Sequence, residues 1–298
     1  MSLVRAGRLA ICLVIPFLAT TVLATASLAQ PVVRTADPAT RGLKNADFPR
    51  TIKITDTVYT YEDFHAGPEK FTTTNMFVVT DVGVLVADGQ GSPAETRGLV
   101  DAIRRVTPKP ITSVVICSDH GDHTAGNASF PPGVHYIIHP ASKAILDRQA
   151  AARADAWRLP ADAELVADRK AWTMGGEDVQ ILFLSEIFLN RVFPAMRSAY
   201  PSEWLGALTK AEKMDVTIYI AGHGFTEQGP VSTEELRAYH KALETVIAEA
   251  TRLFRAGVPV DQAVKQANWG EYASWTLASS QGPIAVRKVY EELSGQLK

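Results

Sequence analysis

Strands alternating with helices in two similar halves predict a layered α/β domain, two central sheets covered by helices. Three observations carry that expectation. Short apolar or alternating runs, Val84–Ala87 and Ile111–Cys117 among them, are interleaved with stretches of helical spacing such as Pro93–Val106. The alternation resumes after a break, with Asp178–Leu184 and Val216–Ala221 as strands. Histidines and acids fall just past the ends of these strands, where α/β folds gather their functional groups.

Taken in order, the chain opens with Arg5 and Arg8, an apolar stretch from Leu9 to Leu23, and small residues ending at Ala29. That is the layout of a secretory signal peptide, with cleavage between Ala29 and Gln30. The stretch is short for a permanent span, which needs about 20 apolar residues. A periplasmic or secreted protein is therefore expected, free of the membrane once residues 1–29 are removed. Residues 30–48, rich in Ala, Pro, Thr and Asp without periodicity, read as a flexible lead-in. Residues 49–298 form the expected domain.

Within it, Thr51–Tyr61, Asn75–Thr80 and Val84–Ala87 read as strands of a hairpin or meander. Pro93–Val106 is the first helix, Ile111–Cys117 and His135–His139 are strands, and Ala141–Trp157 is a helix. In the second half, Pro201–Met214 starts with a proline in its first turn. Ser232-Thr233-Glu234-Glu235 has the form of a capping box ahead of a long helix to Gly257, followed by shorter helices near Asp261–Ala267 and Ile284–Leu297.

Composition narrows the function. Thirty basic residues against 32 acidic ones leave no footprint for nucleic acid or an anionic membrane. With Cys12 inside the signal segment, Cys117 stands alone, so no intrachain disulfide is expected; at the end of a strand it reads as a small core residue.

The chemistry concentrates in Asp119-His120-Gly121-Asp122-His123, just after Ile111–Cys117. Two imidazoles and two carboxylates on one strand-to-loop turn repel or lose hydration unless a cation holds them. A divalent metal is the natural counter-charge. Glu186 follows Asp178–Leu184, and His223 follows Val216–Ala221, so both can reach the same ion as His120, Asp122 and His123.

In these residues the chain resembles the metallo-β-lactamase superfamily. Ser118-Asp119-His120-Gly121-Asp122-His123 falls on the His-x-His-x-Asp-His loop of that family, Ser185-Glu186 on its Gly-Asp position, and Gly222-His223-Gly224 on its last histidine. Upstream, Val84 to Gly89 looks like its strand ending in Asp-x-Gly. The resemblance covers roughly Thr72 to Phe225 and implies a four-layer αββα sandwich.

The departures alter the expected metal load. The loop's first histidine is Ser118, and no histidine lies between His139 and His223, so of the family's first site only His120 survives. The second site is complete in Asp122, His123, His223 and Glu186, which implies one zinc ion. Only Glu177–Leu184 separates Gly175-Gly176 from Ser185-Glu186, where the family fits a strand, a His-bearing loop and a second strand. The second sheet is thus expected to be shortened by a hairpin.

The resemblance implies a zinc-dependent hydrolase acting on a small ester, lactone, thioester or amide. Asp122 would orient the nucleophile and shuttle its proton. Arg191, Arg197 and Tyr200 follow Glu186 and can line the cleft; either arginine could grip a substrate carboxylate or serve in a structural ion pair. His139 reads as a strand-end hydrogen-bonding residue, His240 as part of a surface helix, His135 as a weak candidate, and His65 as lying in a loop that could cover substrate. A non-catalytic periplasmic binding or accessory protein on the same fold is the alternative, and a di-iron redox protein would need a fuller ligand set.

Overall fold

The computed structural model describes residues 33–64, 71–169, 171 and 180–297. The expected signal segment, His65, and the Gly175-Gly176 end of the shortened segment lie outside the described residues. Among those described, no helix is long and apolar enough to cross a membrane.

Among the described residues the first sheet has seven strands, in sequence order. β1 (Arg50–Lys53), β2 (Val58–Phe64), β3 (Thr72–Val79) and β4 (Val84–Ala87) pair antiparallel, with Tyr61 opposite Asn75 and Met76 opposite Ala87. β5 (Ile111–Ile116), β6 (His135–Ile138) and β7 (Glu164–Leu165) continue it in parallel, with Val86 beside Val114 and Val115 beside Ile137. Parallel pairing needs crossovers, which helices supply. α1 (Pro93–Val106) joins β4 to β5 and α3 (Pro140–Ala152) joins β6 to β7; a one-turn helix, α2 (Gly121–Thr124), begins the β5 to β6 connection. Ser92 caps α1 by accepting the Glu95 N–H, Pro93 sits in its first turn, and Leu99, Val100, Ala102 and Ile103 form the face buried on the sheet.

The second sheet has two strands among the described residues, β8 (Ile181–Phe183) and β9 (Ile218–Ile220), parallel with Leu182 beside Tyr219. Helices carry the rest of this half: α4 (Pro201–Ala211), α5 (Pro230–Arg255), α6 (Val260–Gln266) and α7 (Ala278–Leu293). Leu208, Tyr239, Leu243, Val246, Ala285 and Val289 bury completely in a core with Phe188, Phe193 and Tyr219. A second core, Val84, Val86, Leu99, Ile103, Val114 and Ile138, lies under α1. Each such aliphatic side chain contributes about 1.5–3 kcal/mol of transfer free energy, an upper estimate.

Several local expectations need correction. Thr51–Tyr61 is not one strand: the chain turns back at residues 54–57, where Thr55 Oγ1 accepts the N–H groups of Thr57 and Val58 at 3.3 and 3.1 Å. The expected flexible lead-in is docked from Val33 onward, with Ala36 fully buried and Arg41 2.6 Å from Glu227. The Ser232 capping box does not form. α5 starts earlier, at Pro230, and the Ser232 hydroxyl accepts the Tyr219 N–H at 3.1 Å, tying the helix to β9. α3 ends at Ala152 and not Trp157, and α7 starts at Ala278, carrying Pro283 inside it. Cys117 is exposed because β5 stops at Ile116.

What matters for function is polarity. β4 and β5 run parallel, as do β8 and β9, so each pair delivers its carboxyl-terminal loops to one side. The two sides meet where β3 receives the His223 segment: Thr73 and His223 form an antiparallel bridge, the Thr74 N–H donates to Gly222 O at 2.8 Å, and Gly224 N–H to Thr72 O at 3.3 Å. The buried threonines of β3 are explained by this seam. Thr72 and Thr74 hydroxyls both donate to Gly224 O.

Candidate metal centre

Asp122, His123, Glu186 and His223 each aim one donor atom into a common space, all within 4.8 Å of one another. His123 is the third residue of α2 and fully buried. Its Nε2 is 2.9 Å from Glu186 Oε1, 3.4 Å from His223 Nε2 and 3.5 Å from Asp122 Oδ2. His223 Nε2 lies 2.7 Å from Glu186 Oε1 and 3.2 Å from Asp122 Oδ2.

The far side of each imidazole sets which nitrogen can bind a cation. His223 Nδ1 is 3.0 Å from Thr72 O, an acceptor only, so Nδ1 keeps a proton and Nε2 is the nitrogen that can give up its proton to bind a cation. His123 Nδ1 faces Asp88 Oδ2 at 3.2 Å, close enough for charge attraction but outside hydrogen-bond geometry, so the carboxylate favours a proton on Nδ1 without fixing the ring. Donors about 2.0–2.1 Å from a tetrahedral ion stand about 3.3 Å apart. The three distances of 3.2–3.5 Å among Asp122, His123 and His223 match that edge. Glu186 sits closer, at hydrogen-bond distance from both rings, and completes the set. The donors fit one divalent ion.

Without an ion the cluster neutralises itself. Burial opposes charge on His223, but Glu186 and Asp122 outweigh it and raise the ring to about 9. Burial likewise opposes ionised Glu186 and Asp122, and the neighbouring histidines bring both below the ordinary carboxylate range. His120 is raised, chiefly by Glu186.

Asp88 is the residue that sequence reasoning left without a role. It is fully buried at φ 62°, a left-handed conformation that costs a non-glycine residue about 1 kcal/mol or more. Its carboxylate accepts the Cys117 and Ser118 N–H groups at 2.7 and 3.2 Å and the Ser185 hydroxyl at 2.6 Å, besides facing His123. Asp88 therefore ties the β5 loop to the turn carrying Glu186. The Asp-Gly pair directly after β4 was the available signal.

Glycines permit the approach of the last ligand. A Cβ on Gly222 would lie 2.5 Å from the Ser185 carbonyl carbon, and one on Gly224, at φ 83°, 2.0 Å from Asn190 O.

The remaining candidates fall elsewhere. His120 is partly exposed outside the four-donor group, with Nδ1 3.6 Å from Glu186 Oε1. Ser118 is buried and its hydroxyl accepts the His120 N–H at 3.1 Å, a loop contact. Asp119 offers its backbone carbonyl to Gln149 at 3.5 Å. Arg191 points away from the donors and grips the buried Glu235 with two nitrogens, one at 2.9 Å. Arg197 is exposed. Tyr200, 45% exposed, lines a cleft of about 320 Å³ together with His120 and Glu186. His139 caps α3 by accepting the Ala141 N–H at 3.1 Å, His135 pairs with Glu164 at 3.0 Å, and His240 with Glu212 at 2.8 Å.

No family model matches the chain. Solved structures do. A metallo-β-lactamase from Pontibacter korlensis superposes with a TM-score of 0.54 at 14% identity, covering 64% of this chain and 98% of that one. The stereoselective inverting sec-alkylsulfatase Pisa1 from Pseudomonas sp. gives 0.60 at 15% identity, covering 81% of this chain and 49% of that one. A metallo-β-lactamase from Hirschia baltica gives 0.52 at 16%, over 64% of this chain and 97% of that one. By sequence, the α subunit of 2,4-dinitroanisole O-demethylase from Nocardioides sp. is 22% identical over 205 residues, or 61% of this chain. The chain spans 60% of the length of that relative. The chain has the metallo-β-lactamase fold, with a candidate metal group of Asp122, His123, Glu186 and His223 at the loops where its strands end.

Proposed function

We propose that this protein is a mononuclear, zinc-dependent hydrolase of a small ester, lactone, thioester or amide, exported to the periplasm or beyond. The observation that carries the reading is the convergence of four donors from three separate loops, with Nε2 of both histidines turned into the group and Nδ1 of each turned to an acceptor, Asp88 or Thr72. A bound divalent ion supplies Lewis acidity there, activating water and polarising a carbonyl. The chain's own residues do the rest. His223 is held from behind by Thr72 O and His123 is fully buried facing the Asp88 carboxylate, which preorganises the donor set. Asp122 keeps part of its side chain open to solvent and can take a proton from a water beside it. Glu186 and His120 border the cleft through which substrate enters.

Metal analysis tests the stoichiometry. One zinc per chain after dialysis is the expected outcome; two would mean that Ser118, Asp119 or His120 builds a second site. For turnover, a panel of an aryl ester, a lactone, a thioester, a β-lactam, an alkyl sulfate and 2,4-dinitroanisole covers the class proposed here and the chemistries named for the relatives. Turnover confined to the alkyl sulfate and 2,4-dinitroanisole overturns the substrate class. Export is checked by mass spectrometry of protein recovered from the periplasm, where a chain beginning at Gln30 is expected and an intact Met1 refutes it.

One observation favours the binding-protein alternative. Glu186 bonds both histidines at 2.7 and 2.9 Å, so the cluster holds its shape through ion pairing alone. A chain that folds identically, binds no metal and turns over nothing supports that reading.

A further inference from the structure

Two of the large apolar side chains that the protein leaves exposed, Ile187 and Tyr200, stand together at the cleft beside Glu186. The wall is fixed: Trp204 Nε1 donates to Ile187 O at 2.8 Å, which anchors the indole one residue from the candidate ligand. Ala195, Ala199 and Ala207 keep the floor shallow and apolar, and Glu203 is the charged group on the α4 side. Among the described residues, the lining holds no lysine or arginine, and its one basic side chain, His120, faces Glu186 with Nδ1 3.6 Å from Oε1, so its charge is offset within the lining.

The usual ways of attracting an anion to such a place are already taken. The first turn of α4 carries Glu203, and the Ser202 N–H and hydroxyl both donate to the Glu292 carboxylate at 3.1 and 2.8 Å, so the positive helix end is neutralised. Arg191 is committed to Glu235. At about 320 Å³ the cleft sits at the small end of ligand pockets, enough for a one-ring body.

We infer that the cleft walled by Ile187, Tyr200, Trp204 and Glu203 selects an aromatic substrate whose ring portion carries no negative charge, neutral or cationic in preference to anionic. The inference rests on the hydrolase reading for what happens at the metal end, but not for what binds in the cleft. Tyr200 and Trp204 bring two aromatic rings to the lining, a residue type favourable for an aromatic ring and for an attached cation. Glu203 adds attraction for a cation and repels a carboxylate.

Ligand-observed NMR titration of the purified chain, kept with EDTA so that no probe binds through metal, reads the preference without turnover. The probes are benzyltrimethylammonium, benzyl methyl ether and phenylacetate. The expected order is cation and ether ahead of phenylacetate. Glu203→Gln weakens the cation by about 2- to 5-fold and leaves the ether unchanged. Glu203→Lys, on an exposed position, moves phenylacetate ahead of the cation, and Ala207→Phe, which fills the floor, removes binding of all three. Phenylacetate binding as tightly as the cation, or an order unmoved by Glu203→Lys, overturns the inference. The same order found in a protein that hydrolyses nothing keeps the cleft assignment and sinks the hydrolase reading; ester hydrolysis with the wrong order does the reverse.

Discussion

The two halves of this domain reach one site by different means. The first half places Asp122 and His123 at the end of β5, inside a sheet of seven strands whose core lies under α1. The second half has two strands among the described residues and yet supplies Glu186 and His223 with comparable order. Helices α4, α5 and α7 supply most of the burial in this half. The seam between His223 and β3 adds backbone pairing to that between His223 and Leu189. The loop that carries His223 is therefore held by backbone bonds to β3 on one side and to the Glu186 turn on the other.

The comparison breaks most visibly in the cores. If helices carry the second half, Leu243→Ala in α5 costs as much as Leu99→Ala in α1, about 2–5 kcal/mol each, since both side chains are fully buried. Urea unfolding monitored by circular dichroism measures both. A cost under about 1 kcal/mol for Leu243→Ala alone would show that the second half contributes little to the cooperative unit.

Next in size is the ligand contributed by the second half. His223→Ala removes a buried donor that touches both acids and lowers zinc affinity by more than about 100-fold. His120→Ala, outside the four-donor group, lowers it by less than about 10-fold. Competition with a chromophoric chelator reads both constants. Equal losses would bring His120 into the ligand set.

Asp88 sharpens the comparison because it belongs to the first half and holds the second. Asp88→Asn keeps the volume but removes the charge that faces His123 and accepts the Ser185 hydroxyl, and zinc affinity falls about 10- to 100-fold. A positioning role also predicts broadened His123 imidazole signals in NMR spectra of the variant. Unchanged affinity and sharp signals would reduce Asp88 to a turn former.

Much of this was legible beforehand, and unevenly. Val84–Ala87 and Pro93–Val106 stand where their patterns place them, since a continuous apolar run and a capped amphipathic face are local signals. The fold and the donor cluster were legible because metal ligands need fixed residue types at strand ends. The turn at Thr55 was not, since a threonine hydroxyl makes it and no glycine or proline marks it. Ser232 misled for the opposite reason: its hydroxyl serves β9, a partner distant in sequence. The roles open to Arg191 and Tyr200 could not be told apart in sequence, because what separates them is the buried Glu235 beside the arginine and the cleft beside the tyrosine.

The smallest contrast lies between two glycines on matching loops. Gly121, at the start of α2 in the first half, faces open space, so Gly121→Ala meets nothing and changes stability by well under about 1 kcal/mol. Gly222, beside His223 in the second half, has the backbone of Ser185 within 2.5 Å of the Cβ position, and backbone cannot swing aside as a side chain does. Gly222→Ala therefore pushes apart the turn carrying Glu186 and the segment carrying His223, at a cost of about 1–3 kcal/mol. Because those two segments carry Glu186 and His223 and are bonded through Gly222 N–H to Ser185 O, zinc affinity should fall along with the melting temperature, whereas Gly121→Ala leaves both unchanged. Calorimetry with and without zinc separates the outcomes. If Gly222→Ala lowers stability but keeps full zinc affinity, the His223 loop yields toward β3 rather than away from Glu186, and the seam is softer than its hydrogen bonds imply.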